Sequence, residues 1–255
     1  MDFEVLSVVP ELVSNVLPFG ITGRALNQQR YRVRCWNPRD VTTDNYRRVD
    51  DRPYGGGPGM VMMAEPLGRC LQAIRDTRTR EAGAELRVVC LSPQGTPISQ
   101  QKVKSLSEGP GLILVCGRYE AIDQRFLDAE VDEELSIGDF VVSGGELPAL
   151  LLIDAIVRLL PGVLNDAESA VQESFVEGLL DCPHYTRPES VGGVPVPSVL
   201  LSGNHREIDR WRRRQAVLAT YRKRPDLLER ARQEGRLTAE DIRNLEETGY
   251  TSGLA

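Results

Sequence analysis

Apolar residues in the first 160 positions come in short runs that alternate with amphipathic segments. The runs Glu4–Val9, Leu86–Leu91 and Leu112–Cys116 are rich in Val, Ile and Leu, a pattern typical of buried strands. Between them, Ala64–Thr77 and Pro97–Ser107 have helical periodicity, and the second would begin with its proline in the first turn. This alternation predicts the α/β class, with a mostly parallel sheet covered by helices on both faces.

The strongest helical pattern is Glu146–Leu160, which follows Gly144-Gly145 and precedes Pro161-Gly162. Four of its residues fall at spacings of four, three and four and therefore share one face: Leu147, Leu151, Asp154 and Arg158. An aspartate and an arginine four positions apart on a largely apolar helix form either a structural ion pair or part of a functional site. Spacing alone leaves both interpretations open.

The pattern changes after Pro161. Asn165–Gln172 is polar and lacks sustained periodicity, which indicates a linker. The next segment, Cys182–Ser202, contains four prolines and two glycines, a density that excludes a long helix. Three helices are predicted beyond it: His205–Arg224, Pro225–Gln233 and Thr238–Glu247, the last with Thr238 as its N-cap.

Charge is unevenly distributed along the chain. In total, 31 Lys and Arg against 37 Asp and Glu give a formal net charge of −6, with a pI near 5.2, which argues against a general binder of nucleic acid or anionic membranes. Residues 204–224 reverse this balance, because eight basic and two acidic side chains give them +6 and leave −12 for the remainder. Three of these arginines share one helix face: Arg206, Arg210 and Arg213. The segment predicts a helical domain that contacts a phosphate backbone; the alternative is a solvated face of a helix that packs through Trp211.

Composition excludes several other classes of protein. The longest apolar stretch, Leu147–Leu160, contains Asp154 and Arg158 and falls short of the about 18 apolar residues of a membrane helix. Asp2 and Glu4 stand where a secretory signal has basic residues, so we expect a cytoplasmic protein. The five cysteines are scattered and odd in number, which favours buried reduced thiols, and two histidines are too few for the usual zinc site.

Candidate chemistry lies in glycine-rich loops. In Asp50–Met60 (DDRPYGGGPGM), three consecutive glycines allow positive φ and close approach of the backbone to a ligand, but no Gly-Lys-Ser/Thr follows as a P-loop requires. Leu91–Gly95 and Gly117–Asp123 each follow a predicted strand, where α/β proteins bind ligands, and Ser136–Pro148 runs into the long helix. Neither G-x-G-x-x-G nor G-x-S-x-G occurs, which disfavours a dinucleotide-binding Rossmann unit and a serine-hydrolase elbow.

Five longer motifs occur in order along the chain: VDDRPYGGGPGMVM, LSPQG, LILVCGRYEAID, SIGDFVVSGGELPALLLIDA and GLLDCPHYTRP. Together they resemble the bacterial tRNA (guanine-N1)-methyltransferase family of the SPOUT class, from the first strand to about Pro225. The resemblance implies S-adenosylmethionine as methyl donor. It also implies a trefoil-knotted, mostly parallel sheet domain over residues 1–160, an interdomain linker over 161–176 and a small helical tRNA-binding domain over 177–255.

By this resemblance, the methyl donor is expected to bind in the knot. The residues implied are Leu91, Ser92, Pro93, Gly117, Tyr119, Glu120, Ser136, Ile137, Gly138, Asp139, Phe140, Val141, Val142, Gly144, Gly145 and Pro148. Glycine loops expose backbone groups that can read an adenine edge, and a carboxylate at Glu120 favours the sulfonium charge. Two departures from the family are Ala121, where glycine is usual, and Phe140, where tyrosine is frequent.

The implied reaction is methylation of N1 of guanosine 37, just 3′ of the anticodon, in tRNA. It requires a base for the N1 proton and a cation for the charge that develops on O6. The family's catalytic arginine matches Arg158. Its general-base aspartate matches Glu173, a departure that keeps the carboxylate and adds one methylene; Asp166 and Glu168 are the alternative bases.

The family acts as a homodimer, so the active site is expected at the subunit interface. The residues implied in contacts with tRNA are Asp50, Arg52, Tyr54, Gly55, Gly56, Gly57, Ser202, Arg206, Arg210, Arg213 and Arg214. Mg²⁺ is implied as an activator near the carboxylates, although no set of ligands reads as a metal cage. The competing hypotheses are a noncatalytic RNA-binding protein that retains the fold, which Glu173 and Ala121 would favour, and a phosphate-binding enzyme built on the PYGGGPG loop.

Overall fold

The structure, a computed structural model, describes residues 1–164 and 173–250. The chain forms two compact units, Met1–Ala167 and Glu168–Ala255. The predicted linker Asn165–Gln172 lies outside the described residues. Within the described ranges, no helix combines the length and apolarity that crossing a bilayer requires.

The first unit is built on a five-stranded sheet in which all neighbouring strands are parallel. Two further strand pairs join three short segments into a second sheet. The strands are β1 (Asp2–Leu6), β2 (Arg32–Trp36), β3 (Asp50–Asp51), β4 (Val61–Met62), β5 (Arg87–Pro97), β6 (Gly111–Cys116), β7 (Ala121–Ile122) and β8 (Glu133–Ser136). The large sheet has the order β2-β1-β6-β5-β8 and the small one β3-β4-β7, which confirms the predicted α/β class with a mostly parallel sheet.

Helices cover both faces of the large sheet, as the alternation of apolar runs predicted. They are α1 (Glu11–Ser14), α2 (Gly20–Asn27), α3 (Ala64–Arg80), α4 (Gln100–Ser107), α5 (Gln124–Glu130) and α6 (Glu146–Val157), with a 3₁₀ turn at Pro38–Val41. Alternate residues of each strand face opposite ways, so Val89 belongs to a buried cluster with residues of α1, α2, α4 and α6. Val88 and Cys90 belong to a second cluster with residues of α3 and α5. The result is two buried apolar layers, one on each side of the sheet.

Several predicted boundaries were wrong. Strand β1 ends at Leu6, not Val9, because the chain turns there into α1, and the Val9 amide donates to the Ser7 hydroxyl at 3.0 Å. Pro97 ends β5 and does not begin a helix; Ser99 caps α4 by accepting from the Lys102 amide at 3.2 Å. Helix α6 ends at Val157, three residues before its predicted end.

In its described part, residues 173–250, the second unit contains a two-stranded hairpin and three α-helices. These are β9 (Ser190–Val191), β10 (Val194–Pro195), a 3₁₀ turn at Ser198–Leu201, α7 (His205–Lys223), α8 (Pro225–Gln233) and α9 (Ala239–Glu246). All three helix predictions are confirmed to within one residue, and Thr238 is the N-cap of α9 in a capping box with Asp241. The core of this unit is formed by Leu179, Val217, Leu218, Leu228, Ala231 and Leu245.

Candidate functional site

A cavity of about 460 Å³ opens at the carboxyl ends of β5, β6 and β8, where parallel sheets bind ligands. The pairing of β5 with β8 shifts register between Leu91 and Thr96, and the intervening residues Ser92–Gln94 form one wall. The segment after β6 forms a second wall, and the segment from β8 into α6 forms a third. The volume falls in the range of roughly 300–1,000 Å³ that small-molecule sites occupy.

This cavity gathers most of the residues predicted to bind the donor. Fourteen of the sixteen line it, and the other two, Gly138 and Asp139, do not. Ten more lining residues were not predicted: Cys90, Gln94, Arg118, Ala121, Ile122, Gln124, Leu127, Glu134, Leu135 and Ser143. Cys90 and Glu134 are partners across β5 and β8, a pairing that only the strand order reveals. The assignment of the cavity to the donor stays a prediction.

Glycine is required where the third wall crosses β6. A Cβ on Gly145 would lie 2.7 Å from Cα of Cys116, and one on Gly144 would lie 2.3 Å from Nε of Arg118. The Gly145 amide donates to the carbonyl of Gly117 at 2.9 Å. Gly145 therefore allows the chain before α6 to lie directly against the end of β6, and Gly144 leaves room for the side chain of Arg118.

A buried glutamate joins three elements behind the cavity. Glu146, 1% exposed in the first turn of α6, accepts hydrogen bonds from Ser7 Oγ at 2.6 Å and from Arg118 Nε at 2.8 Å. Ser7 follows β1 and Arg118 follows β6. Both carboxylate oxygens are thus occupied, as a buried charge requires.

A second polar contact links the cavity to the segment around Asp50. The guanidinium of Arg39 donates to the Tyr119 hydroxyl at 2.9 Å and lies 3.9 Å from the Asp50 carboxylate. Burial and the neighbouring Asp50 raise the pKa of Tyr119. The amide of Glu120 donates to the carbonyl of Met60 at 2.9 Å. A predicted tRNA-contacting segment therefore lies beside the second wall of the cavity.

The glycine loop between β3 and β4 is exposed. Gly55, Gly56 and Gly57 have φ of 84°, 78° and 125°, the left-handed region that their sequence predicted. Tyr54 is 98% exposed, and Arg52 is exposed as well. The loop thus presents an aromatic and a cationic side chain to solvent next to the cavity wall.

The two predicted catalytic residues belong to different units of the chain. Arg158 is half-buried at the C-cap of α6, where its amide donates to the Asp154 carbonyl at 3.1 Å. Glu173 is half-buried near the start of the described part of the second unit. The alternative bases Asp166 and Glu168 lie outside the described residues. The catalytic roles of Arg158 and Glu173, and the ion pair of Arg158 with Asp154, stay predictions.

Arg213, one of the predicted tRNA contacts, forms its hydrogen bonds within the second unit. Its guanidinium donates to the buried carboxylate of Asp241 at 3.0 Å, to the carbonyl of Arg236 at 3.0 Å and to Glu177 at 2.7 Å. Asp241 in turn completes the capping box of α9. Arg213 therefore fastens α7 to the start of α9.

The other predicted basic contacts lie at the surface. Arg210 and Arg214 form ion pairs with exposed glutamates. Arg206 has no ion-pair partner in the part of the chain that the structure describes. Ser202 is exposed and accepts from the amide of Asn204 at 3.1 Å. Of the four arginines predicted on α7, Arg206 is thus the one without a carboxylate partner among the described residues.

One group of metal-ligand types lies together among the described residues: Asp181, Cys182 and His184, whose ligand atoms are within 4.8 Å of one another. His184 Nε2 lies 2.8 Å from Asp181 Oδ2. A thiol and an imidazole are poor ligands for Mg²⁺, which prefers oxygen, so this group does not fit the implied activator. The five cysteines are free thiols, and burial raises the pKa of Cys70 and of Cys90 to about 12.

Comparison with known proteins relates the chain to one family. Residues 1–230 match the family model described as "tRNA (Guanine-1)-methyltransferase TrmD". The protein named tRNA (guanine-N(1)-)-methyltransferase of Cupriavidus metallidurans is 58% identical over 253 residues, 99% of this chain and 97% of that protein. Proteins of the same name from Ralstonia nicotianae and Burkholderia multivorans are 61% and 58% identical over 241 residues, 94% of this chain and 91% of each.

Proposed function

The chain belongs to the tRNA (guanine-1)-methyltransferase family, and from this premise we propose that it transfers a methyl group from S-adenosylmethionine to N1 of guanosine 37 of tRNA. The observation that carries the proposal is the cavity at the strand ends, lined by fourteen of the residues that the sequence motifs assign to the donor. The noncatalytic alternative is not favoured, because the relatives described above are named as methyltransferases and the chain matches them over nearly their whole length.

The lining of the cavity fits the chemistry of this donor. Apolar side chains including Leu91, Ile137 and Val142 suit the adenine ring, and the carboxylates of Glu120 and Glu134 suit a sulfonium or an ammonium group. Glu134 Oε2 is buried and has no hydrogen-bond partner among the described residues, so a hydroxyl or ammonium of a bound molecule would satisfy it. The bound donor supplies an electrophilic methyl carbon.

The chain's own residues then have two tasks at the guanine. The carboxylate of Glu173 takes the N1 proton, which makes the N1 electron pair available to form the new N–C bond as the C–S bond of the donor breaks. The guanidinium of Arg158 donates to O6, where negative charge develops, and stabilises it.

The finer architecture belongs to the same proposal. The proposal includes a trefoil knot in residues 1–160, in which Gly145 would allow the close approach of the chain before α6 to Cys116, 2.7 Å from an added Cβ. A homodimer is supported by Leu147 and Leu151, which are 50% and 58% exposed on one face of α6 and which a partner subunit would cover. We place tRNA binding in residues 177–255, behind a linker at 161–176, and the reaction in the cytoplasm.

The test is methyl transfer in vitro. Purified protein is incubated with radiolabelled S-adenosylmethionine and an unmodified tRNA transcript that has guanosines at positions 36 and 37. We expect label in the tRNA and a primer-extension stop at position 37, with faster transfer in Mg²⁺ than in EDTA. A transcript with adenosine at 37 is the control. Absence of label in the first transcript, with Mg²⁺ present, would refute the function.

A further inference from the structure

The cavity is lined by one basic side chain among the described residues, that of Arg118. The other charged groups of the lining are the acids Glu120 and Glu134. The sequence motifs assign the neighbours Gly117, Tyr119 and Glu120 to the donor and give Arg118 no role. The rest of the described lining is apolar or neutral and polar, as at Ser92 and Gln94, so Arg118 is its one side chain that can offer a cation to a ligand.

Arg118 is held along one edge of its guanidinium. Nε donates to Glu146 Oε2 at 2.8 Å, and the other oxygen of Glu146 accepts from Ser7 Oγ at 2.6 Å. The absence of a side chain at Gly144 makes room for it, since a Cβ there would lie 2.3 Å from Nε and 2.5 Å from Cδ. In the part of the chain that the structure describes, Nη1 and Nη2 have no hydrogen-bond acceptor. The side chain is thus fixed in position and keeps its two terminal nitrogens as donors.

The methyl donor carries one anionic group, the carboxylate of its amino-acid portion. A guanidinium binds a carboxylate through two parallel hydrogen bonds, whereas Glu120 and Glu134 would repel it. We propose that Arg118 binds the α-carboxylate of the methyl donor and that Glu146 is the positioning residue that orients it. This inference rests on the proposed function, because it takes the donor to be S-adenosylmethionine. The simpler alternative is a structural ion pair between Arg118 and Glu146.

Two ligands separate these interpretations. S-adenosylhomocysteine retains the amino-acid portion of the donor, whereas 5′-methylthioadenosine lacks it. In calorimetry, we expect Arg118→Gln to weaken binding of S-adenosylhomocysteine by about 10- to 100-fold, the range of a lost charge-assisted hydrogen bond, and to change binding of methylthioadenosine by less than about twofold. Glu146→Gln should also weaken binding of S-adenosylhomocysteine selectively, but less than Arg118→Gln does. In this variant Arg118 keeps its charge but loses the carboxylate that orients it.

The matched control is Arg125→Gln. Arg125 lies on α5, pairs with Asp123, and is absent from the residues that line the cavity, so the variant changes the net charge equally. It should bind both ligands like the wild type. Melting temperatures of all variants are measured alongside.

Each outcome is informative. An equal loss of affinity for both ligands in Arg118→Gln assigns Arg118 a structural role and overturns the proposal, as does unchanged affinity for S-adenosylhomocysteine. Wild-type protein that binds neither ligand contradicts the proposed function itself. If Arg118→Gln does not fold, Arg118→Lys takes its place: one ammonium cannot serve Glu146 and the ligand together, so a selective loss of about three- to tenfold is expected, and no selective loss overturns the proposal.

Discussion

Nη2 of Arg39 donates a hydrogen bond of 2.9 Å to the hydroxyl of Tyr119, and this contact joins the wall of the cavity to the segment that carries Asp50. The same guanidinium donates to the carbonyl of Arg47 at 2.9 Å and lies 3.9 Å from Asp50. A change at the Tyr119 hydroxyl therefore alters the support of a segment that we assign to tRNA, while the tyrosine ring stays in the cavity wall.

Tyr119→Phe tests this arrangement. We expect the Kd of S-adenosylhomocysteine to change by less than about threefold, because the ring remains, and the KM for tRNA to rise by about three- to tenfold, because Arg39 and Asp50 lose a shared partner. Tyr46→Phe, a change at an exposed tyrosine of the same segment, should leave both values unchanged. A larger effect on the donor analogue than on tRNA would contradict the role of the hydroxyl in tRNA binding.

The general base is tested by shortening and by removing the carboxylate at position 173. Glu173→Ala should lower kcat by about 10²- to 10⁴-fold, the usual contribution of a positioned base, with little change in the Kd of S-adenosylhomocysteine. Glu173→Asp should retain most of the rate because it restores the residue usual in the family. Single-turnover kinetics at saturating tRNA measure this step, with Glu189→Ala, in an exposed loop, as control. A full loss in Asp166→Ala or Glu168→Ala, with Glu173→Ala active, would transfer the assignment.

The helices of the second unit could be predicted from sequence because their signals are local. Thr238 and Asp241 form a capping box within four residues, and α8 begins at a proline. Strand β2 could not be predicted in this way. Its sequence RVRCW alternates arginine with apolar residues, and its arginines find their partners, Asp2 and Glu4, on β1. Charges in a strand become compatible with a sheet only once its neighbour is known.

The candidate site divides along the same line. Residues within contiguous motifs, such as Ser92 and Tyr119, could be assigned from the sequence, and they line one cavity. Arg118 lies inside the same motif, but its position depends on Ser7 and Glu146, which are 139 residues apart in sequence. Arg213 was grouped with tRNA contacts by helical spacing, although its carboxylate partner is 28 residues away. Spacing identifies which residues share a face and leaves their partners undetermined.

Glu4 should be essential for stability. It is 1% exposed, and its carboxylate accepts from Trp36 Nε1 at 2.7 Å, from Arg34 Nη2 at 2.5 Å and from Arg78 Nη1 at 3.3 Å. Glu4→Gln leaves the buried Arg78 with less opposing charge, so we expect the free energy of unfolding to fall by about 3 kcal/mol in urea titrations. Glu229→Gln removes a carboxylate from an exposed ion pair and should leave the midpoint unchanged. Equal midpoints for the two variants would show that the Glu4 contacts do not contribute to stability.

The thiols should be unreactive in the folded protein. Burial raises the pKa of Cys35 to about 11 and those of Cys70 and Cys90 to about 12, so at pH 8 these groups hold less thiolate in the folded chain than in the unfolded one. Iodoacetamide at pH 8 should therefore modify the native protein at least about tenfold more slowly than the protein in urea, as followed by intact mass. Because the folded pKa values are raised, ionisation of the unfolded thiols above about pH 9 should also lower stability. Rapid native alkylation at any of these three cysteines would contradict its assigned burial.

Arg206 and Arg213 lie on one face of the same helix, yet they should fail in different ways when each is replaced by methionine. Arg213 donates to the buried Asp241 and to Glu177, so Arg213→Met should lower the melting temperature and weaken tRNA binding only as far as the second unit unfolds. Arg206 has no ion-pair partner among the described residues, so Arg206→Met should preserve the melting temperature and weaken tRNA binding.

If Arg206 contacts a phosphate, the slope of log affinity against log salt should become shallower by about one, because one fewer counterion is released on binding. Filter binding at salt concentrations from about 50 to about 200 mM measures this slope, because affinity for a phosphate backbone changes strongly over that range. An unchanged slope in Arg206→Met would contradict a phosphate contact of Arg206. So would a greater loss of tRNA affinity in a folded Arg213→Met, because it would show that an arginine paired within the protein binds tRNA more strongly than an unpaired one.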